Sequence, residues 1–140
     1  SLFAARVGWS GWREARELAA LRDLTALAVR SSAVVHELQR ERGLTVGLVA
    51  SGGATGGEAV ARQRDTTDAR ARGLDSAIAA LDGLAVPEGM VGPIAHAPEA
   101  LRALAVLRTE ATALRVAAPA VVAGYTAAID SLLRVSGGLA

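Results

Sequence analysis

Two arginines, Arg42 and Arg64, fall on lines of residues spaced to face the inside of a helix bundle. Alternating steps of four and three from Leu24 pass through Ala28, Ser31, Val35, Leu38, Arg42, Thr45 and Val49. The same steps from Val60 pass through Arg64, Thr67, Ala71, Leu74, Ile78 and Leu81. Such spacing marks the inward stripe of an amphipathic helix. Each stripe is apolar or small except where its arginine interrupts it, and a guanidinium withdrawn from water is costly unless an anion neutralises it.

The glycine-rich segment from Ser51 to Gly57 joins the two stretches, which predicts an antiparallel pair of helices. Arg42 stands eight residues before Ala50 and Arg64 seven after Gly57, about 12 and 10 Å down the axis. Both are therefore expected in one layer. Thr45 follows Arg42 and Thr67 follows Arg64 by three positions, on the same helix face. The expected site is Arg42, Arg64, Thr45 and Thr67 converging on a small anion. A planar oxyanion suits two guanidinium forks because bidentate hydrogen bonding matches its shape as well as its charge. Arg108 and Arg115 are further candidates. Spacing puts Arg108 several turns from the layer and Arg115 nearer.

The carboxylates within reach decide between an anion pocket and a structural ion-pair network. Asp68, four residues after Arg64, is placed to pair with it. Arg42 has no carboxylate three or four residues away, and the adjacent Glu41 is expected about 100° around the helix from it. From the residues alone, a structural network with a carboxylate of another helix ranks ahead of an anion pocket. Gly43 costs about 1 kcal/mol relative to alanine inside a helix. A close helix crossing is the first reason to expect for it, and space for a ligand beside the backbone the second.

Composition sets the frame. The chain has 140 residues, 51% of them hydrophobic but only 3% aromatic, a helix-bundle palette with enough length to bury a core. A net charge of +1 gives no electrostatic footprint for nucleic acid. All 15 basic residues are arginine. Coding bias in a GC-rich genome is the first reading of that and a demand for bidentate donors at a few sites the second, so position, not count, must identify the arginines that matter. The absence of cysteine excludes disulfides and thiolate metal sites but leaves the compartment open. No uncharged apolar run is long enough to span a bilayer, and the chain opens without methionine, which leads one to expect a fragment of a longer protein.

The expected fold is all-α: an up-down four-helix bundle with an elongated first helix, forming a single domain over residues 1–140. Helices are expected at roughly 9–50, 57–82, 98–114 and 119–136, with a proline- and glycine-rich loop from Gly83 to Pro98. Leu101, Leu104, Leu107, Ala111 and Leu114 are placed inward on the third helix, and Val121, Tyr125, Ala128, Leu132 and Val135 on the fourth. Gly137-Gly138 is expected to end the fourth. Trp9 and Trp12 lie where the first helix outruns its partners, suited to a second subunit, to the end of the fourth helix or to a membrane interface. A protruding helix with heptad spacing also predicts a homodimer.

Catalysis has little to stand on. His36 and His96 lack ligand-spaced partners and read as solvated or capping groups, and Ser51 to Gly57 lacks the lysine of a phosphate loop. No cofactor is expected, no metal ligand and no enzymatic activity.

The run His36-Glu37-Leu38-Gln39-Arg40-Glu41-Arg42-Gly43-Leu44-Thr45, then Ser51-Gly52-Gly53, then Gln63-Arg64-Asp65-Thr66-Thr67-Asp68 resembles the NIT domain, the nitrate- and nitrite-sensing module of bacterial receptors. Leu107-Arg108 and Tyr125-Thr126 with Ile129 are similar to landmarks of its third and fourth helices. The resemblance implies an all-helical sensor that binds nitrate or nitrite through arginines and relays binding to an output such as a histidine kinase, chemoreceptor, cyclase or RNA-binding antiterminator. It carries Arg42 over as the first anion ligand, then Arg64. Family members usually have two four-helix halves, and this chain resembles the first, so either the pocket is incomplete here or a second copy supplies the missing half through a homodimer. The resemblance also implies an extracytoplasmic sensor region of a cytoplasmic-membrane protein, touching the membrane only through flanking segments, with a cytoplasmic location as the alternative. The rival reading is a ligand-free dimerisation bundle with its arginines in structural ion pairs.

Overall fold

The computed structural model describes residues 2–81 and 86–137, with side chains from Gly8 onward. It is all-α, with four helices: α1 (Leu2–Ala50), α2 (Gly57–Ala79), α3 (Glu88–Thr112) and α4 (Ala118–Gly137). Among the described residues there is no strand. α1 packs along α2 on one side and α4 on the other, α3 packs along α4, and the backbones of α2 and α3 scarcely approach each other. The bundle therefore has one wide seam, between α2 and α3.

The turns are built by residues that accept a left-handed backbone. After α1, Gly52 and Gly53 adopt φ of 63° and 83°. The Gly53 amide donates to the Leu48 carbonyl at 2.9 Å, which closes the helix end. α3 ends in the same way on Leu114, a non-glycine residue at φ 58°. Its neighbour Arg115 donates its amide to Glu110 at 2.9 Å. The Leu114 side chain lies against Gly53, so the α1–α2 and α3–α4 turns meet at one end of the bundle. That contact offsets the strain at Leu114, and it is why Leu114 terminates α3 instead of continuing its inward stripe.

α3 differs most from expectation. It begins at Glu88, ten residues before Pro98, and contains Pro93 and Pro98. Proline removes a backbone hydrogen bond inside a helix, yet Met90, Ala97, Leu104 and Ala111, seven residues apart, are all buried. Burial of that stripe carries the helix through both prolines. α2 ends at Ala79. Its expected end at Asp82, part of the following loop, and Gly138 lie outside the described residues.

The core joins Leu27, Val34 and Leu38 of α1 to Leu74 of α2, Leu104 of α3, and Val121, Tyr125 and Leu132 of α4. α4 follows the expected stripe in full, with Val121, Tyr125, Ala128, Leu132 and Val135 all buried. α1 is 49 residues long, about 74 Å at 1.5 Å per residue, against 23 residues for α2. Its first part projects beyond the bundle. There Trp9 and Trp12 stand exposed, 5.3 Å apart, and the Arg16 guanidinium lies 4.9 Å from the Trp12 ring.

Candidate functional site

The residues of α1 that turn inward at the upper end of the bundle are Leu27, Ser31, Val34, Leu38, Glu41, Thr45 and Leu48, all buried. This is again a four-three stripe, sharing Ser31, Leu38 and Thr45 with the expected one. It differs in phase, taking Glu41 where the other takes Arg42. Arg42 is correspondingly half-buried at the edge of the stripe, while Glu41 is fully buried. The expectation that Glu41 points away from the layer is thus corrected.

Glu41 is the centre of a polar cluster drawn from all four helices. Arg108 of α3 grips it bidentately, Nε to Oε2 at 2.8 Å and Nη2 to Oε1 at 2.6 Å. The remaining Arg108 nitrogen, Nη1, donates to Asp68 of α2 at 2.7 Å. The Tyr125 hydroxyl of α4 donates to Glu41 Oε2. Thr45, one turn along α1, lies 3.3 Å from that hydroxyl. Burial works to lower the Arg108 pKa, but hydrogen bonds to Glu41 and Asp68 and their charges outweigh it and raise it above the ordinary value. Tyr125 is pushed up to about 12, first by burial and then by its bond to Glu41, with Thr45 and the Arg108 charge opposing.

Two expectations change here. Asp68 pairs with Arg108 and not with Arg64. Arg108 stands within the layer, since Arg64 Nη2 donates to its carbonyl at 3.2 Å. Arg115 is the outlying one, exposed and paired with Glu110 at 3.0 Å; its hydrogen bond lowers the Glu110 pKa. The layer estimate for α3 failed because that helix ends in a turn at Leu114, which leaves Arg115 beyond it.

Arg42 and Arg64 reach into different grooves. Arg42 Nη1 donates to Thr126 Oγ1 of α4 at 3.0 Å. Arg64 Nη1 donates to Thr112 Oγ1 of α3 at 2.7 Å, and its Nε is buried without a hydrogen-bond partner. Among the described residues neither is paired with a carboxylate. Their partners are neutral, so the positive charge of each is uncompensated at short range. Thr45 and Thr67 are buried. Thr45 is engaged with Tyr125, and Thr67 donates to the Gln63 carbonyl of its own helix at 3.0 Å. The four residues expected to converge on one point are therefore divided around the Glu41–Arg108 pair.

A Cβ added at Gly43 would meet nothing within 4 Å, so neither a helix crossing nor a crowded ligand explains this glycine. Gly43→Ala is expected to stabilise the chain by up to about 1 kcal/mol, read from its urea midpoint; a loss of stability would mean that something unseen packs there. The close approach is at Gly124 instead, where Cβ would fall 2.5 Å from Leu107 Cδ2 at the α3–α4 contact. His36 and His96 are exposed, and His96 Nδ1 lies 2.7 Å from the Gly92 carbonyl.

Sequence reasoning held Arg108 only as a further candidate, turned Glu41 away from the site and gave Tyr125 a place in the core without a polar role. One signal for them exists. Tyr125 sits on the inward stripe of α4, and a buried tyrosine hydroxyl needs a polar partner; the alternative phase of α1 supplies one in Glu41.

No described helix is long and apolar enough to cross a membrane. No curated protein and no solved structure matches the chain. Residues 33–140 match the sequence profile for nitrate and nitrite sensing. That span takes in all of α2, α3 and α4 and α1 from Ala33 onward, including every residue of the polar cluster. With a buried, charge-bearing centre inside four helices and a family match over most of its length, the chain belongs to the nitrate and nitrite sensing (NIT) family.

Proposed function

We propose that this chain is the ligand-sensing region of a bacterial receptor and binds nitrate or nitrite through Arg42, with Arg64 as the second guanidinium available to an anion. The observation that carries this reading is the contrast among three arginines. Arg108 spends all three nitrogens on carboxylates, while Arg42 and Arg64, likewise half-buried, are met only by threonine hydroxyls and a backbone carbonyl. A planar oxyanion offers each the bidentate partner it lacks. Thr126 and Thr112, already bonded to these guanidinium groups, are the hydroxyls that would rearrange around it. Thr45 and Thr67, buried on the same two helices, are the further hydroxyls of this reading.

The rival reading, a ligand-free bundle with arginines in structural ion pairs, describes Arg108 well and Arg42 and Arg64 not at all. Binding at Arg42 would pull on α1, the longest helix and the one outrunning the bundle, and so pass to an output along it. An extracytoplasmic site with membrane-flanking segments, and a pair of copies, belong to the same reading.

Titration calorimetry with nitrate, nitrite, chloride and sulfate tests it. Heat of binding is expected for nitrate or nitrite in the wild type, lost in Arg42→Ala and weakened in Arg64→Ala. Removing Arg42 should cost at most about 1 kcal/mol of folding stability, the worth of one hydrogen bond. Unchanged binding in Arg42→Ala, or no binding by the wild type, would end the proposal.

A further inference from the structure

α1 carries a second apolar stripe that the bundle does not use. Leu18, Leu21 and Val29 are exposed at 67, 57 and 61%, and Thr25 stands exposed among them. At 100° per residue this stripe is centred about 140° around the helix from the Leu24, Leu27, Ser31 and Val34 face that enters the core. It also precedes residue 33, where the family match begins.

The spacing Leu18, Leu21, Thr25 follows three-four steps, as the a, d and a positions of a two-stranded coiled coil do. Glu17 then takes the position before the first a, and Arg22 the position after the d. In a parallel pair these two positions, five residues apart, meet across the seam. Glu17 of each copy thus comes beside Arg22 of the partner subunit, and two-fold symmetry makes the contact twice. An antiparallel pair would bring like positions together, glutamate towards glutamate and arginine towards arginine. At the flanking positions of Glu17 and Arg22 the charges are complementary in the parallel direction only. This identifies a second copy of this chain as the occupant.

We infer that two copies pair in parallel through α1 along Leu18, Leu21 and Thr25, with Glu17 and Arg22 setting the direction. This rests on the dimeric part of the sensing reading and places its contact on the projecting helix, away from the Glu41 cluster. In such a pair the two α1 helices are neighbours, so a shift of either is felt by the other.

The chain contains no cysteine, so single cysteines report without background. Under mild oxidation Leu18→Cys and Thr25→Cys are each expected to cross-link to themselves. Ala26→Cys, about 100° from Thr25 on the flank of the seam, should not. In sedimentation equilibrium Leu21→Glu should raise the dimer dissociation constant by about a hundredfold or more. Arg22→Glu should weaken the dimer, and Glu17→Arg combined with Arg22→Glu should restore it. A chain that stays monomeric at every concentration would overturn the inference. So would a dimer in which Leu18→Cys joins Thr25→Cys but neither joins itself. Cross-linking as expected in a chain that takes up no nitrate would uphold the pairing while removing the sensing proposal, so the two fail separately.

Discussion

Glu41→Ala is expected to destabilise the bundle by about 3–5 kcal/mol, the cost of breaking a buried ion pair from one side. Glu41 is fully buried and receives two bonds from Arg108 and one from Tyr125. Without it, the Arg108 guanidinium keeps only Asp68, which is half-exposed, and the Tyr125 hydroxyl keeps only Thr45. Urea denaturation of the two chains measures the difference directly. A pair of leucines, Glu41→Leu with Arg108→Leu, should cost less than the two single changes together, because no charge is then left buried alone. A loss below about 0.5 kcal/mol for Glu41→Ala, the range of an ordinary surface substitution, would show that the cluster does not hold the helices together.

The second large effect lies in alkaline solution. Tyr125 is fully buried and its hydroxyl is pushed up to about 12 from an ordinary 10.0. A folded-state pKa above the unfolded one stabilises the fold while the group is protonated. The contribution is complete below pH 10, declines as pH rises between 10 and 12, and is gone above the folded value. Its size is on the order of 2–3 kcal/mol. The chain offers an unusually clean window for this test, with one tyrosine, no lysine and no cysteine to titrate there. Stability measured from pH 9 to 12 should fall in the wild type and stay nearly level in Tyr125→Phe. Parallel profiles would separate Tyr125 from the effect.

These two predictions concern residues whose importance was unevenly legible. Tyr125 was visible as an inward position of α4, because that stripe has only one phase consistent with its apolar residues. Glu41 was not, because α1 offers two overlapping stripes that share Ser31, Leu38 and Thr45. Helical periodicity ranks faces, but two overlapping faces whose centres lie about 60° apart can both look buried when each is lined by small and apolar residues. The choice is made by what stands opposite. α3 presents Arg108 towards α1, and a carboxylate at position 41 answers it as the arginine at 42 would not.

The expected convergence of Arg42 and Arg64 on one point is not met, for a related reason. Equal depth from the turn was a sound inference for two antiparallel helices, and Arg64 does reach the layer where Arg108 bonds Glu41. Depth does not fix direction around the axis, however. Arg42 turns towards α4 and Arg64 towards α3, and neither neighbour is named by the sequence of the α1–α2 hairpin. α3 illustrates the opposite error. Pro93 and Pro98 argued for a loop from local preference, and burial of Met90 and Ala97 overrode them.

By itself the sequence determined the four helices, the glycine turn between the first two, the elongation of α1, the inward stripe of α4 and the family. Each of these depends on near neighbours along the chain: periodicity, caps and motif spacing. Tertiary structure alone decided which of two adjacent charged residues of α1 is buried, which arginine is neutralised by carboxylates, and which two meet only neutral partners. Those outcomes depend on side chains brought together from positions 41, 68, 108 and 125, and a charge separated so far along the chain finds its partner only once the helices have packed.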